Sequence, residues 1–112
     1  MDDKEKILRF LGLAVRAGSV ESGFDAVAGC IAKGNAKMLI IARDISRNTL
    51  NKFLDLSSKA DMPERAYSFG TMEELGEAMG KNSRALIAIT DKGFADKLSS
   101  MLEVFEYKEE DN

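Results

Sequence analysis

Two short runs of uninterrupted apolar residues, Met38-Leu39-Ile40-Ile41-Ala42 and Ala85-Leu86-Ile87-Ala88-Ile89, constrain this chain more than any other feature. Each has the length of a strand and falls short of a core helix. A strand without polar alternation has no face to offer water, so both of its faces must be covered. A chain with two such strands needs layers on both sides of one sheet.

The remaining segments supply those layers. A first helix is predicted from about Asp3 to Ala17, because Leu8, Leu11 and Val15 recur at helical spacing and Ile7, Leu11 and Ala14 widen the stripe. Gly18 is placed to end it. Ser19 to Glu21 is a short candidate edge strand. A second helix starts at Ser22, read as its N-cap, or at Gly23, with Asp25 suited to the positive helix end and Phe24, Val27, Ala28 and Ile31 apolar. Gly34-Asn35 supplies its stop. Gly29 inside it disfavours helix by about 1 kcal/mol relative to Ala, which predicts a packing or contact reason for it. Ser46 caps a third helix with Leu50, Phe53 and Leu54 inward, closed by Asp61-Met62-Pro63. Arg65 to Phe69 alternates, with Tyr67 and Phe69 on one face. Thr71-Met72-Glu73-Glu74 is a capping box opening a fourth helix on Met72, Leu75 and Met79. The last helix follows Asp91, with Phe94, Leu98, Met101, Leu102 and Phe105 inward. Strands alternating with helices predict an α/β fold, a three-layer α/β/α sandwich around a four-stranded mixed, largely parallel sheet.

Composition narrows the function classes. The chain has 112 residues, the size of one domain, and 45% are hydrophobic, enough to bury a core. No stretch approaches the roughly 20 apolar residues of a membrane span, and no long apolar run follows Met1 to Lys6, so a cytoplasmic protein without a signal peptide is expected. The lone Cys30 forms no internal disulfide, which fits a reducing compartment, and its position suits a small core residue. With no histidine, the commonest general base and the commonest zinc ligand are missing. No catalytic residue, metal or cofactor is expected. Gly80-Lys81-Asn82-Ser83 lacks the earlier glycine of a phosphate-binding loop and precedes a strand, which argues against a nucleotide site.

The net charge is -3, but it is unevenly spread. Glu103, Glu106, Glu109, Glu110 and Asp111 are five of the 19 acids, against one of the 16 bases, Lys108; without them the body holds 14 acids and 15 bases. The reading is a domain over residues 1–105 and a solvated acidic tail over 106–112. Any nucleic acid must then be held by a local patch, not by a global field.

Four segments carry a resemblance. Leu11-Gly-Leu-Ala-Val-Arg-Ala-Gly18, Lys33-Gly-Asn-Ala-Lys-Met-Leu-Ile-Ile-Ala-Arg-Asp44, Glu74-Leu-Gly-Glu-Ala-Met-Gly80 and Ala88-Ile-Thr-Asp-Lys-Gly-Phe94 together resemble the kink-turn-binding ribosomal protein family of the L-seven-Ae type, and within it the small bacterial YlxQ-like proteins. The resemblance implies a non-catalytic, ribosomal or ribosome-associated RNA-binding protein. It also implies a grip by the start of the second helix, here Ser22, Gly23, Phe24 and Asp25, and by the loop before the last strand, here Lys81, Asn82, Ser83 and Arg84. The implied target is structured RNA, usually a kink-turn, a bent internal loop with tandem G·A pairs. The family motif runs basic residue, Gly-x-Asn-Glu, two residues, Lys. Here the glycine is kept as Gly23, while Asp25, Ala26 and Gly29 stand at the Asn, Glu and Lys positions.

Physical chemistry supports such a grip. A helix start offers unpaired N–H groups to phosphates, and structured RNA is read through its loops and bulges. Phe24 is a candidate to stack on a base. Arg43, Arg47, Asn48 and Lys52, around the third helix start, form either an extended basic patch or a solvated face. RNA binding predicts a positive patch joining the second helix start to the Lys81–Arg84 loop. The alternative is a protein-interaction module that keeps the fold and has lost RNA binding; it predicts an exposed apolar patch with Phe24 and a protein partner. A monomer is expected when free.

Overall fold

The structure is a computed structural model that describes residues 2–58, 60 and 62–110. Four strands, β1 (Val20–Ser22), β2 (Met38–Ile41), β3 (Ala66–Ser68) and β4 (Leu86–Ile89), form one sheet in the order β1-β4-β2-β3. The two apolar runs thus take the two central positions. Five helices alternate with them: α1 (Asp3–Arg16), α2 (Phe24–Ala32), α3 (Arg47–Ser57), α4 (Met72–Met79) and α5 (Lys92–Glu110).

Successive strand residues point to opposite faces, and the two cores follow that alternation. Met38, Ile40, Ile87 and Ile89 face Ile7 and Leu11 of α1, Leu75 and Met79 of α4, and Leu98 and Leu102 of α5. Leu39, Leu86 and Ala88 face Val27, Cys30 and Ile31 of α2 and Phe53 of α3. The expected three-layer sandwich is present. Gly18 and Gly34, the expected helix stops, both have left-handed backbones. The Thr71 capping box is formed, with Thr71 Oγ1 accepting from the Glu74 N–H and Glu74 accepting from the Thr71 N–H. Among the described residues, no helix is long and apolar enough to cross a membrane.

The sheet is mixed but not largely parallel. Of its three strand pairs, β2–β3 is parallel, whereas β4 runs antiparallel to both β1 and β2. Alternation of strands and helices does not fix direction, and the segment after α4 decides it here. That segment doubles back along its own helix: the Lys81 N–H donates to the Gly76 carbonyl and the Arg84 N–H to the Met72 carbonyl. The chain therefore enters β4 from the end where it left β3. The return is tight. A Cβ on Gly76 would lie 2.7 Å from the Asn82 carbonyl carbon and 2.9 Å from Ser83 Cα, and closer still to the Asn82 oxygen.

Other expectations need correction. Ser22 belongs to β1, and the N-cap of α2 is Gly23. On α3 the buried row is Phe53 and Ser57, four residues apart, so Leu54, one position round the helix, is exposed. The helix stops at Ser57, before Pro63; Asp61 lies outside the described residues. Residues 106–110 continue α5 and are not a separate tail. Lys108 pairs with Asp3 and Arg43 with Glu109, each at 2.8 Å, which ties this acidic turn to the body.

Two outcomes follow. Gly76→Ala should destabilise the protein by about 2–3 kcal/mol through overpacking against backbone, measured by urea unfolding. The hydrogen bond from Lys4 holds the Glu74 carboxyl below its ordinary value of 4.5. A depressed pKa gives stability that is present above that ordinary value and is lost as pH falls through the folded one. Glu74→Gln, which keeps an acceptor for the cap, should therefore flatten the loss of stability on acidification below about pH 4.5.

Candidate nucleic-acid interface

Because β1 and β4 are antiparallel, the end of one strand lies beside the beginning of the other. Ser22 is in register with Ile87, and the Gly23 N–H donates to the Leu86 carbonyl at 2.9 Å. The chain turns into α2 at that point, next to the segment that enters β4. Arg84 joins the two. Its Nε donates to Ser22 Oγ at 3.3 Å, and its Nη1 donates to the carbonyls of Asn82 at 3.3 Å and Ser83 at 3.0 Å. Ser22 to Asp25 and Lys81 to Arg84, distant in sequence, thus form one surface.

Gly23 has φ 97° and ψ 161°, a backbone region essentially restricted to glycine. It offers no side chain to cap α2. The other helix starts have one: Asp2, Ser46, Thr71 and Asp91 each accept from a first-turn N–H. Among the described residues, no N-cap side chain accepts from the first-turn N–H groups of α2. Lys81, Asn82, Ser83 and Asp25 are exposed, and Ser22 and Arg84 are half-buried. The expected positive patch is mixed in charge, since Glu21 and Asp25 stand exposed beside the cations.

Phe24 is half-buried, with its ring packed edge-on against Phe53 at 5.9 Å between centroids. It is packed against the core on the α2–α3 side. Large exposed apolar side chains are found instead at Leu13, Leu54, Leu56, Met62, Val104 and Tyr107. Arg43, a candidate for an extended basic patch, is engaged by Glu109.

A groove of about 520 Å³ runs along α2 beside β1. Ala26, Gly29 and Cys30 line it, with Glu21 and Asp25 toward the start of the helix and Lys33 and Lys37 toward its end. Gly29 has no packing reason, because a Cβ there would meet nothing within 4 Å; its effect is to keep the groove open. Burial pushes the Cys30 thiol up, so it stays protonated and inert at neutral pH. Sequence reasoning passed over Glu21, Lys33 and Lys37. A signal was present: Asp25, Gly29 and Lys33 fall at i, i+4 and i+8 on one helix face. Among the described residues, no group of three or more Cys, Asp or Glu is placed to hold a metal ion.

Residues 5–99 match the ribosomal protein L7Ae/L30e/S12e/Gadd45 family. The chain is 39% identical over 93 residues to the RNA-binding protein YlxQ of Bacillus subtilis (strain 168), covering 83% of this chain and 91% of that protein. Among solved structures, a protein of unknown function from Bacillus halodurans C superposes with TM-score 0.75 at 32% identity, covering 88% of this chain and 97% of that one. A Giardia lamblia 15.5kD RNA binding protein shares the fold, with TM-score 0.69 at 16% identity, covering 96% and 90% of the two chains.

Gly23→Ala should destabilise the protein by about 1–3 kcal/mol, although an added Cβ meets nothing within 4 Å. The loss comes from backbone conformation alone, and Asn tolerates positive φ mostly in the αL region, so Gly23→Asn should lose about as much as Gly23→Ala in the same urea titration.

Proposed function

Because the chain belongs to the ribosomal protein L7Ae/L30e/S12e/Gadd45 family, we propose that it is a non-catalytic protein that binds structured RNA, of the kink-turn type, on the surface formed by Ser22–Asp25 and Lys81–Arg84. One observation carries this reading: the one helix start that, among the described residues, lacks a side-chain cap adjoins a loop fixed by Gly76 and anchored by Arg84. First-turn N–H groups of α2 take a phosphate oxygen, helped by the positive end of the helix. Lys81 and Arg84 add charge-assisted contacts, and Asn82 and Ser83 reach base edges in the unpaired region. Gly23 lets the RNA backbone approach closely. Asp25 is an acceptor only, so it reads amino or imino N–H groups of a base and not a phosphate.

The test is titration of the pure protein with a kink-turn hairpin and a straight control duplex at two salt concentrations. Kink-turn-selective binding that weakens as salt rises, and falls at least about tenfold in Arg84→Glu, is the expected result. Equal and weak binding of both RNAs would refute it.

A further inference from the structure

We propose that the open edge of β3 takes an added strand from a protein partner, an extended segment that alternates basic and apolar residues. This goes beyond the RNA-binding reading and does not depend on it.

The backbone is the first argument. β3 is an edge strand, paired only with β2. The Leu39 N–H donates to the Arg65 carbonyl and the Phe69 N–H to the Ile41 carbonyl, so Arg65 and Phe69, with Tyr67 between them, face β2. Alternation then turns the N–H and C=O groups of Ala66 and Ser68 outward. Both residues are exposed. Such an edge is a template for another strand unless a charge or a proline blunts it. The opposite edge, β1, has Glu21 at its centre, whereas Ala66-Tyr67-Ser68 has neither charge nor proline.

The flanking chemistry is the second argument, and it selects the occupant. On one face α5 runs along the edge: Arg65 pairs with Asp96, the Tyr67 hydroxyl donates to Glu103, and Ser68 lines a cleft of about 400 Å³ with Glu106 and Glu109. Among the described residues, Glu106 forms no ion pair. On the other face Ser68 is in register with Ile41, and a cleft of about 480 Å³ is walled by Ile41, Ile45 and Leu50, with Arg43 and Arg47 as its charges. The exposed Leu54 continues the Leu50 row one turn further along α3. Side chains of an added strand point to these two faces in turn. A basic side chain suits the carboxylates and is repelled by Arg47, while an aliphatic one suits the apolar wall. Strand addition of this kind takes affinity from main-chain hydrogen bonds and specificity from the alternate side chains. A second copy is disfavoured, because antiparallel pairing of two β3 edges would put both α5 helices on one face and set carboxylate against carboxylate. RNA is repelled by the same groups.

The experiment titrates the full chain with a capped peptide of alternating lysine and valine, a scrambled peptide of the same composition, and an alternating glutamate–valine peptide, followed by amide NMR. Wild type should bind the first with a Kd below about 1 mM, with the Ala66 and Ser68 amides shifted and slowed in hydrogen exchange. The other two peptides should bind at least about tenfold more weakly. Two variants complete the test, each with its fold verified by a urea midpoint. Ser68→Pro removes one outward N–H and no bond of the sheet, and Glu106→Lys reverses the unpaired charge. Each should lower affinity for the alternating lysine–valine peptide about tenfold. If wild type binds no peptide, or binds the scrambled one equally, no strand is added and the inference fails. If folded Ser68→Pro, or Glu106→Lys, binds like wild type, the edge or its acidic flank is not used and the inference fails again. Glu106→Lys leaves the backbone untouched, so it and the scrambled peptide decide the matter even if the proline variant does not fold. If the edge amides are protected without peptide as protein concentration rises, a second copy occupies them; if kink-turn RNA alone protects them, the edge is an RNA contact. Either result overturns the inference.

Discussion

The close pass of the segment 80–84 over Gly76 is the constraint on which the rest of the molecule depends. It turns the chain back along α4, so that β4 enters the sheet antiparallel to β1 and β2. β4 then sits between two strands and between two helical layers, with all four of its residues buried. Its apolar side chains join both cores. The same direction of entry sets Arg84 beside Ser22 and the loop beside the uncapped start of α2. Fold and candidate site thus share one cause, a backbone-to-backbone contact that a single methyl group would block.

Much of this was legible in the sequence. Apolar runs without alternation located β2 and β4, and the capping box located α4 to the residue. Helical periodicity found Ile7, Leu11 and Ala14. Strand direction was not legible, because it follows from hydrogen bonds of Lys81 and Arg84 to residues of the preceding helix, which no local pattern encodes. The role of the helical glycines is hidden for a related reason. A glycine inside a helix signals a nearby backbone or an open space with equal force, and composition cannot tell the two apart. Gly29, for which a packing or contact reason is expected, faces open space, while Gly76 has backbone closer than 3 Å to where a Cβ would stand. At the site, residue types and place in the chain identified the two surface segments, but not that Phe24 is claimed by Phe53 or that Lys33 and Lys37 share a groove with Glu21.

The acidic end has a structural role that its composition hides. A run of acids is usually a solvated face. Here Glu103 accepts from the Tyr67 hydroxyl, Glu109 pairs with Arg43, and Lys108 pairs with Asp3. These exposed pairs are individually weak and are screened by salt. Together they draw the far end of α5 toward the β3 edge and the start of α1. Within the stretch Glu109 meets a cation, Arg43, whereas Lys108 gives its own charge to Asp3 of the body.

Because Gly76 is met by main-chain atoms of Asn82 and Ser83, the contact is indifferent to which side chains those residues carry. The loop path is held by atoms that every amino acid shares, while the exposed groups it displays are free to vary. Point substitution at positions 81–83 can thus rewrite what the surface recognises while the scaffold stays in place. Insertion or deletion there breaks the return along α4 and the strand direction that depends on it. For descendants of this sequence, specificity is open to drift in chemistry and closed to drift in length.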